Sequence, residues 1–196
     1  MNNAARLRIA LLDIEPEPWR RIEVPLSMTL KGLHDCIQAA FLWDNSHLWE
    51  FEIGDRSFGI PFDGGFSLGG DAGDEPADAK KARLKDLLTT VGQEFLYVYD
   101  MGDDWAHVIV VEALFEAPAE PLLPRYCDGE WAAPPDDCGG APGFANFCDA
   151  MASPDHPDHE ELMDWYGGPF DVTSVQQARV HAAFKKLARP RRRTKS

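Results

Sequence analysis

Alternating apolar and polar positions open the chain and predict β-strands. Leu7, Ile9 and Leu11 alternate with polar or small residues, which is the period of a half-buried strand, and residues 19–24 predict a second strand. Apolar positions then recur at helical spacing and predict a long helix. The apolar stripe of that helix consists of Leu30, Leu33, Ile37 and Phe41.

Two β-hairpins follow, each indicated by two apolar runs with a turn between them. Residues 48–53 and 56–60 flank a Gly-Asp pair, and residues 95–99 and 108–111 flank an acidic turn. Between the two hairpins, residues 61–82 are rich in glycine and acids, which predicts a long surface loop.

The last third of the chain has helical patterns. Residues 144–151 predict one helix, and a second is predicted to open at Asp155, where acidic residues favour a helix N-terminus. Prolines in residues 116–142 exclude a regular helix or a central strand in that segment. A final helix is predicted with one apolar face, formed by Val180, Ala183, Phe184 and Leu187.

Together these elements predict an α+β fold. We expect an antiparallel or mixed sheet of about five to six strands, a long helix packed across one face and a helical C-terminal third. The pattern predicts a single domain over residues 1–188. Residues 189–196 contain four arginines and one lysine, and they predict a disordered basic tail.

The acidic turn of the second hairpin carries most of the candidate chemistry. Asp100, Asp103 and Asp104 lie in or beside the turn, and His107 follows on the next strand, on the same side as Trp105. Carboxylates and a neutral imidazole can bind a divalent metal or act in acid–base catalysis. Turn formation and packing explain the same residues, because Asp favours turns and a buried histidine can bond to a carbonyl group.

A second group of polar residues lies on the proline-rich segment. Asp136 and Asp137 precede Cys138, and ten residues separate Cys138 from Cys127. If this segment folds over the second hairpin, its cysteines could join the hairpin residues around a metal, although their spacing is not a recognised zinc-ligand pattern. The metal ligands predicted in this way are Asp100, Asp103, His107, Cys127 and Cys138.

Charge is unevenly distributed along the chain. The formal net charge is −14, yet residues 1–171 hold 11 bases and all 33 acids, a net −22, whereas residues 172–196 hold eight bases and no acid. An acidic body repels phosphate backbones. We therefore expect nucleic acid to be contacted by the basic tail only, if at all.

Neither a signal peptide nor a membrane-spanning segment is indicated. Arg8 and Asp13 interrupt the apolar stretch near the start, and uncharged apolar runs such as residues 39–43 are far too short to cross a bilayer. The four cysteines include no CxxC pair. These features predict a cytoplasmic protein with reduced thiols and no membrane contact.

The block YVYDMGDDWAH, residues 97–107, resembles a sequence pattern of plasmid pRiA4b ORF-3-like proteins. His34 and His47 also match family positions, but a histidine beside an apolar face is more often a packing residue than a ligand. The family often has a Cys before two prolines, where this chain has Ala133, and that departure argues against a cysteine-rich metal site. The resemblance implies no established activity, although a transposon-resolvase label on some relatives implies a link to mobile elements. The other matching segments are EPWRRIEVP, LHDCIQAAFLWDNSHLWEF, PPDDCGGAPGF and SPDHPDHEE.

Two classes of function are consistent with these features. The first, which we favour, is a non-catalytic binding or accessory module whose acidic, aromatic-lined groove holds a protein partner or a small ligand. The second is a metal-dependent hydrolase or nuclease that uses the Asp/His cluster of the second hairpin and a divalent metal. Serine recombination is disfavoured because no serine lies among several arginines. The predicted binding residues are Tyr99, Asp100, Asp103, Asp104, Trp105, His107, Asp136 and Asp137.

Overall fold

The computed structural model describes residues 2–61, 76–118 and 123–188, which form eight strands and five helices. The strands are β1 (Ala4–Leu11), β2 (Trp19–Pro25), β3 (Trp49–Ile53), β4 (Arg56–Gly59), β5 (Ala77–Asp78), β6 (Glu94–Tyr99), β7 (Trp105–Phe115) and β8 (Arg125–Glu130). The helices are α1 (Leu30–Phe41), α2 (Leu84–Leu87), α3 (Gly140–Ala152), α4 (His159–Tyr166) and α5 (Gln177–Leu187).

These strands form one mixed sheet in the order β5-β4-β3-β6-β7-β1-β2-β8. Neighbouring strands run antiparallel, except that β4 and β5 are parallel. The two predicted hairpins are present as β3–β4 and β6–β7. The long β7 strand pairs with β6 on one side and with β1 on the other, so the second hairpin lies in the middle of the sheet.

The sheet has eight strands, so the predicted number of five to six is wrong. The two additional strands, β5 and β8, are the edge strands of the sheet. With only two residues, β5 is too short to show any period in the sequence. The six residues of β8 lie between Pro124 and Pro134, and an edge strand tolerates prolines nearby because one of its sides forms no ladder.

The α+β class with a mixed sheet is confirmed. Helix α1 begins after Thr29, whose side-chain oxygen accepts the Gly32 backbone N–H at 3.2 Å. The predicted apolar stripe of α1 is buried in one core with the inward-facing residues of the strands. The C-terminal third is helical as predicted, although α4 begins at His159 and not at Asp155, and α5 lies against α1.

The other face of the sheet carries ion pairs. The Glu23 carboxylate is only 1% exposed, and it accepts hydrogen bonds from Arg6 at 2.8 Å and from Arg125 at 2.6 Å. Nearby, Arg21 lies 2.6 Å from a carboxylate oxygen of Glu112. The positive charges of these strands are therefore neutralised locally by acids of the neighbouring strands.

Two sequence predictions fall largely on residues outside the described ranges. They are the basic tail, residues 189–196, and residues 62–75 of the predicted surface loop. The domain boundary at residue 188 stays a prediction. Across the ranges given above, none of the helices combines the length and the apolarity needed to cross a membrane.

Candidate functional site

Three loops meet at one end of the sheet. They are the α1–β3 loop (residues 42–48), the β6–β7 turn (residues 100–104) and the proline loop (residues 131–139), which leads into α3. The indole N–H of Trp43 donates to the carbonyl oxygen of Pro134 at 2.8 Å. Because this hydrogen bond is buried, it fixes how the proline loop approaches the α1–β3 loop.

Two further hydrogen bonds join the loops. The Asp44 backbone N–H donates to Asp136 Oδ2 at 2.7 Å, and the Gly139 backbone N–H donates to Asp103 Oδ2 at 3.1 Å. Each bond joins a carboxylate of one loop to the backbone of another. Asp103 and Asp136, both predicted from sequence as binding residues, therefore hold the loops together in this structure.

Asp100 shapes the β6–β7 turn with one carboxylate oxygen and presents the other to the site. Its φ is 56°, a value that Asp tolerates better than most residues. Its Oδ1 atom accepts the Gly102 backbone N–H at 2.9 Å and, less closely, the Asp103 backbone N–H at 3.4 Å. Its Oδ2 atom lies 3.5 Å from Nε2 of His47. Asp104, at the end of the turn, is exposed.

His47, Asp100 and Asp137 form a group of potential metal ligands, with one residue from each loop. The Nε2 atom of His47 lies 3.0 Å from Asp137 Oδ1, and the three ligand atoms lie within 4.8 Å of one another. No other group of three or more such residues is found in the described ranges. Zinc ligands at about 2.1 Å in a tetrahedron are about 3.4 Å apart, so small side-chain rotations would close the group around an ion.

The Nε2 atom of His47 is the least satisfied atom of this group. It is buried, and no described residue offers it a partner with hydrogen-bond geometry, although two carboxylate oxygens lie nearby. A buried polar atom without a partner costs free energy, and bonding to a cation or a proton removes that cost. One imidazole nitrogen with two carboxylate oxygens suits zinc, manganese or iron(II) better than calcium.

Aromatic rings form the wall behind the ligand group. Tyr99 contacts His47 edge-on with ring centres 5.7 Å apart, and it stacks on Trp43 at 5.0 Å. Trp105 stacks on the same indole at 6.3 Å. Burial raises the pKa of Tyr99, and its phenol oxygen accepts the Ser46 backbone N–H at 3.2 Å, which positions the residue before His47.

Asp136 places a further carboxyl group beside this wall. Burial raises the pKa of its side chain, although hydrogen bonding by the Asp44 backbone N–H and by the Tyr99 hydroxyl opposes the shift. Its Oδ1 atom is buried and has no hydrogen-bond partner among the described residues. A carboxyl group with a raised pKa beside potential metal ligands is suited to general acid or base chemistry.

His107 does not join the ligand group. It is completely buried, with Nδ1 3.3 Å from the Tyr97 carbonyl oxygen and its ring edge-on to Phe41 and Trp43. Burial lowers its pKa to about 3, so the ring is neutral at physiological pH. In this structure His107 is a core residue, which is the packing role that the sequence analysis gave as the alternative.

The cysteines predicted as ligands also lie outside the group. Cys127 is exposed on the edge strand β8, separated from β6 by three strands of the sheet. Cys138 follows Asp137, and burial raises the pKa of its thiol to about 12, which keeps it protonated. The structure therefore does not bring the five predicted metal ligands together; of that set, only Asp100 belongs to the group.

His47 is the residue that sequence reasoning passed over as a ligand. It directly follows Asp44-Asn45-Ser46, which ends α1, so it lies in a loop rather than on an apolar helix face. Its position in a loop and its match to the family pattern were the available signals. Its distance from Asp100 in the sequence prevents any local spacing rule from pairing the two.

Comparisons with known proteins give one family. The sequence model of plasmid pRiA4b ORF-3-like proteins matches residues 3–179. The chain is also 35% identical over 188 residues to "Uncharacterized protein y4hQ" of Sinorhizobium fredii, a match that covers 95% of this chain and 93% of that protein.

A solved structure is similar to this fold. The protein of unknown function MM3350 from Methanosarcina mazei Go1 superposes with a TM-score of 0.75 and 30% sequence identity. The match covers 87% of this chain and 93% of that chain. Neither relative's name states an activity, so the chemistry of the site has to be argued from this chain's own residues.

Proposed function

The chain belongs to the plasmid pRiA4b ORF-3-like family, and from its site geometry we propose that it is a binding module that holds one divalent metal ion. The proposed ligands are His47, Asp100 and Asp137. The observation that carries the proposal is the buried Nε2 atom of His47, which lies without a hydrogen bond between two carboxylate oxygens from two other loops. Three protein ligands leave coordination positions open for a further ligand.

An adjoining cavity supports capture of a ligand by such a metal. It has a volume of about 290 Å³ and adjoins the group through Asp137, whose side chain is 68% exposed. Cys138, Glu161 and Trp165 contribute to its lining, and Trp165 is 47% exposed. An acidic, aromatic cavity attracts a basic or aromatic group, so the proposed occupant is such a group on a protein partner or a small ligand.

Metal-dependent hydrolysis is a second candidate, because Asp136 lies beside the metal ligands. Its raised pKa suits a general acid or base acting on a metal-bound substrate. The binding role is proposed first because it requires only the ligand group, whereas hydrolysis also requires Asp136 to reach the reacting atom.

Metal analysis of the untagged protein tests the first proposal. After incubation with equimolar zinc or manganese and desalting, we expect about one metal ion per chain by plasma mass spectrometry. His47→Ala should lose that metal. Asp100→Asn should weaken binding without disturbing the turn, because Asn keeps the Oδ1 acceptor and also tolerates positive φ. His181→Ala is the matched control, because this exposed histidine lies outside the group.

Unchanged metal content in His47→Ala, at a stoichiometry equal to that of His181→Ala, would contradict the proposed ligand set. The hydrolase candidate is tested separately with the metal-loaded protein and an activated phosphodiester such as bis(4-nitrophenyl) phosphate. It requires a turnover that Asp136→Asn abolishes while the bound metal is retained. Metal binding without turnover would leave the binding module as the function.

A further inference from the structure

A wide cleft lies at the start of α1, away from the acidic loops. Its volume is about 780 Å³, and its walls include residues of α1, the end of α5 and Lys80. Lys31, Lys80 and Lys186 line it, against a single acid, Asp35. A cleft of net positive charge is unexpected on a chain with a formal charge of −14.

The segment KKARLK, residues 80–85, extends this basic surface beyond the cleft. Backbone hydrogen bonds hold it along residues 26–31, for example from Lys85 N–H to the Leu26 carbonyl oxygen at 2.8 Å. All four bases of the segment are exposed. The basic surface therefore runs from Lys186 through the cleft to Lys85.

Many of these bases lack an acidic partner. On the outer face of the sheet the arginines are neutralised by neighbouring carboxylates. In contrast, within the described ranges no ion pair within 4.0 Å is made by the side-chain nitrogens of Lys80, Arg83, Lys85 or Lys186, although the Lys80 backbone N–H donates to Asp78 Oδ1 at 2.9 Å. Lys31 pairs with Asp35, and both are partly buried, whereas Lys81, which pairs with Asp78, is 86% exposed. Four side chains without an ion pair thus lie in or beside this cleft, whereas Arg56 and Arg179 lie away from it.

We propose that this surface binds the phosphate backbone of double-stranded nucleic acid. The four exposed bases without an ion pair, together with Lys31 and Lys81, match a row of phosphates better than one small anion. No aromatic residue is among those that line the cleft within the described ranges, and proteins that hold single strands use aromatic platforms for the bases. The cleft therefore binds the sugar–phosphate backbone of the duplex, and this binding does not depend on the base sequence.

The acids of the C-terminal third determine which side of the protein can face the nucleic acid. Between Arg125 and Arg179 the sequence has 11 acids and no base, so the helical C-terminal third repels phosphates. The sequence that continues past α5 adds five bases in residues 189–196, directly after Leu187, which itself lines the cleft. The proposed surface consists of described residues only, and it is therefore distinct from the tail contact that the sequence predicts.

Salt-dependent binding to a labelled 20-base-pair duplex, followed by fluorescence anisotropy of the full chain, tests the proposal. Each phosphate neutralised contributes about 0.9 to the slope of log K against log salt. Lys80→Gln combined with Lys186→Gln should make that slope shallower by about 2. The matched control is Arg56→Gln with Arg179→Gln, which removes the same charge from two exposed arginines that do not line the cleft; its slope should stay within about 0.5 of the native slope.

Four outcomes would overturn the proposal. The first is no duplex binding at 50 mM salt, and the second is an equal change of slope in the cleft variant and its control. The third is loss of binding only in a tail variant, Arg191→Gln with Arg192→Gln and Arg193→Gln, because the tail alone would then be the site. The fourth is tighter binding to a single strand or to anionic vesicles. All measurements are made with EDTA, so they do not depend on the metal proposal.

Discussion

Lowering the pH from 7 to 5 should destabilise this protein through two buried histidines. His107 lies completely buried among aromatic rings, and burial lowers its pKa to about 3. His34 is also completely buried, stacked on Trp49 at 4.1 Å and bonded through its two nitrogens to Tyr97 and Asn45. Burial lowers the pKa of His34 to about 4. Both rings are therefore neutral in the folded protein at pH 5, whereas both are largely protonated in the unfolded chain.

The sign and size of the effect follow from proton linkage. Between pH 6.5 and the folded-state pKa the unfolded chain binds more protons, so the free energy of unfolding falls as the pH falls. With an unfolded pKa of about 6.5, each histidine lowers stability by about 1.9 kcal/mol between pH 7 and pH 5, or about 4 kcal/mol for the pair. The raised pKa of Asp136 acts in the opposite direction, because its folded form binds the proton more readily.

Urea unfolding followed by tryptophan fluorescence, at pH 7 and pH 5 in the presence of EDTA and at constant ionic strength, measures this difference. His107→Leu should retain only about half of the decline, because one of the two titrating groups is removed. His181→Ala, which changes an exposed histidine, should retain all of it. The reasoning would be refuted if the native protein had the same free energy of unfolding at both pH values. It would also be refuted if His107→Leu lost as much stability as the native protein between pH 7 and pH 5.

Three further predictions concern packing, each checked by urea unfolding. Gly143→Ala should cost about 1–3 kcal/mol, because its Cβ would lie 1.9 Å from the Cys138 carbonyl oxygen; a neutral effect would show that the loop yields freely. Glu23→Gln should cost about 1.5–3 kcal/mol, since its buried carboxylate accepts from two arginines, and an unchanged midpoint would contradict this. Trp43→Phe should cost about 1–3 kcal/mol by leaving the Pro134 carbonyl unbonded, and it should also weaken zinc affinity in a titration.

Elements with a clear period were predictable from sequence, and those without one were not. The stripe of α1 and the pairing of β6 with β7 follow from spacings of 3.6 and 2 residues, and Trp105 and His107 are indeed buried on the same side of β7. The edge strand β5 has only two residues, and β8 is only six residues long in a proline-rich segment. Their pairing depends on tertiary position, which a local pattern does not contain.

In the candidate site, too, some residues were predictable from sequence and others were not. Asp100 was predicted as a metal ligand and Asp137 only as a binding residue, because acids in turns are recognisable candidates at any distance from their partners. His107 was predicted as the histidine ligand because it lies close to the acids in sequence, whereas His47 does not. The side chain of His107 points into the core because it alternates with outward-facing residues of β7. The convergence of the three loops places His47, and not His107, beside the two aspartates. A local sequence pattern does not contain that information.

The convergence of His47, Asp100 and Asp137 from three loops has a mechanical consequence. These residues are 53 and 37 positions apart in sequence, so an ion shared by them would close two long stretches of chain at one point. Such a metal cross-link would connect the first half of the sheet to the helical C-terminal third and would oppose their local separation. The stabilisation would depend on the concentration of free metal ion. An ion that binds only the folded chain adds about 2.7 kcal/mol to the free energy of unfolding when its concentration is a hundred times its Kd. Resistance to proteolysis would then rise with metal occupancy.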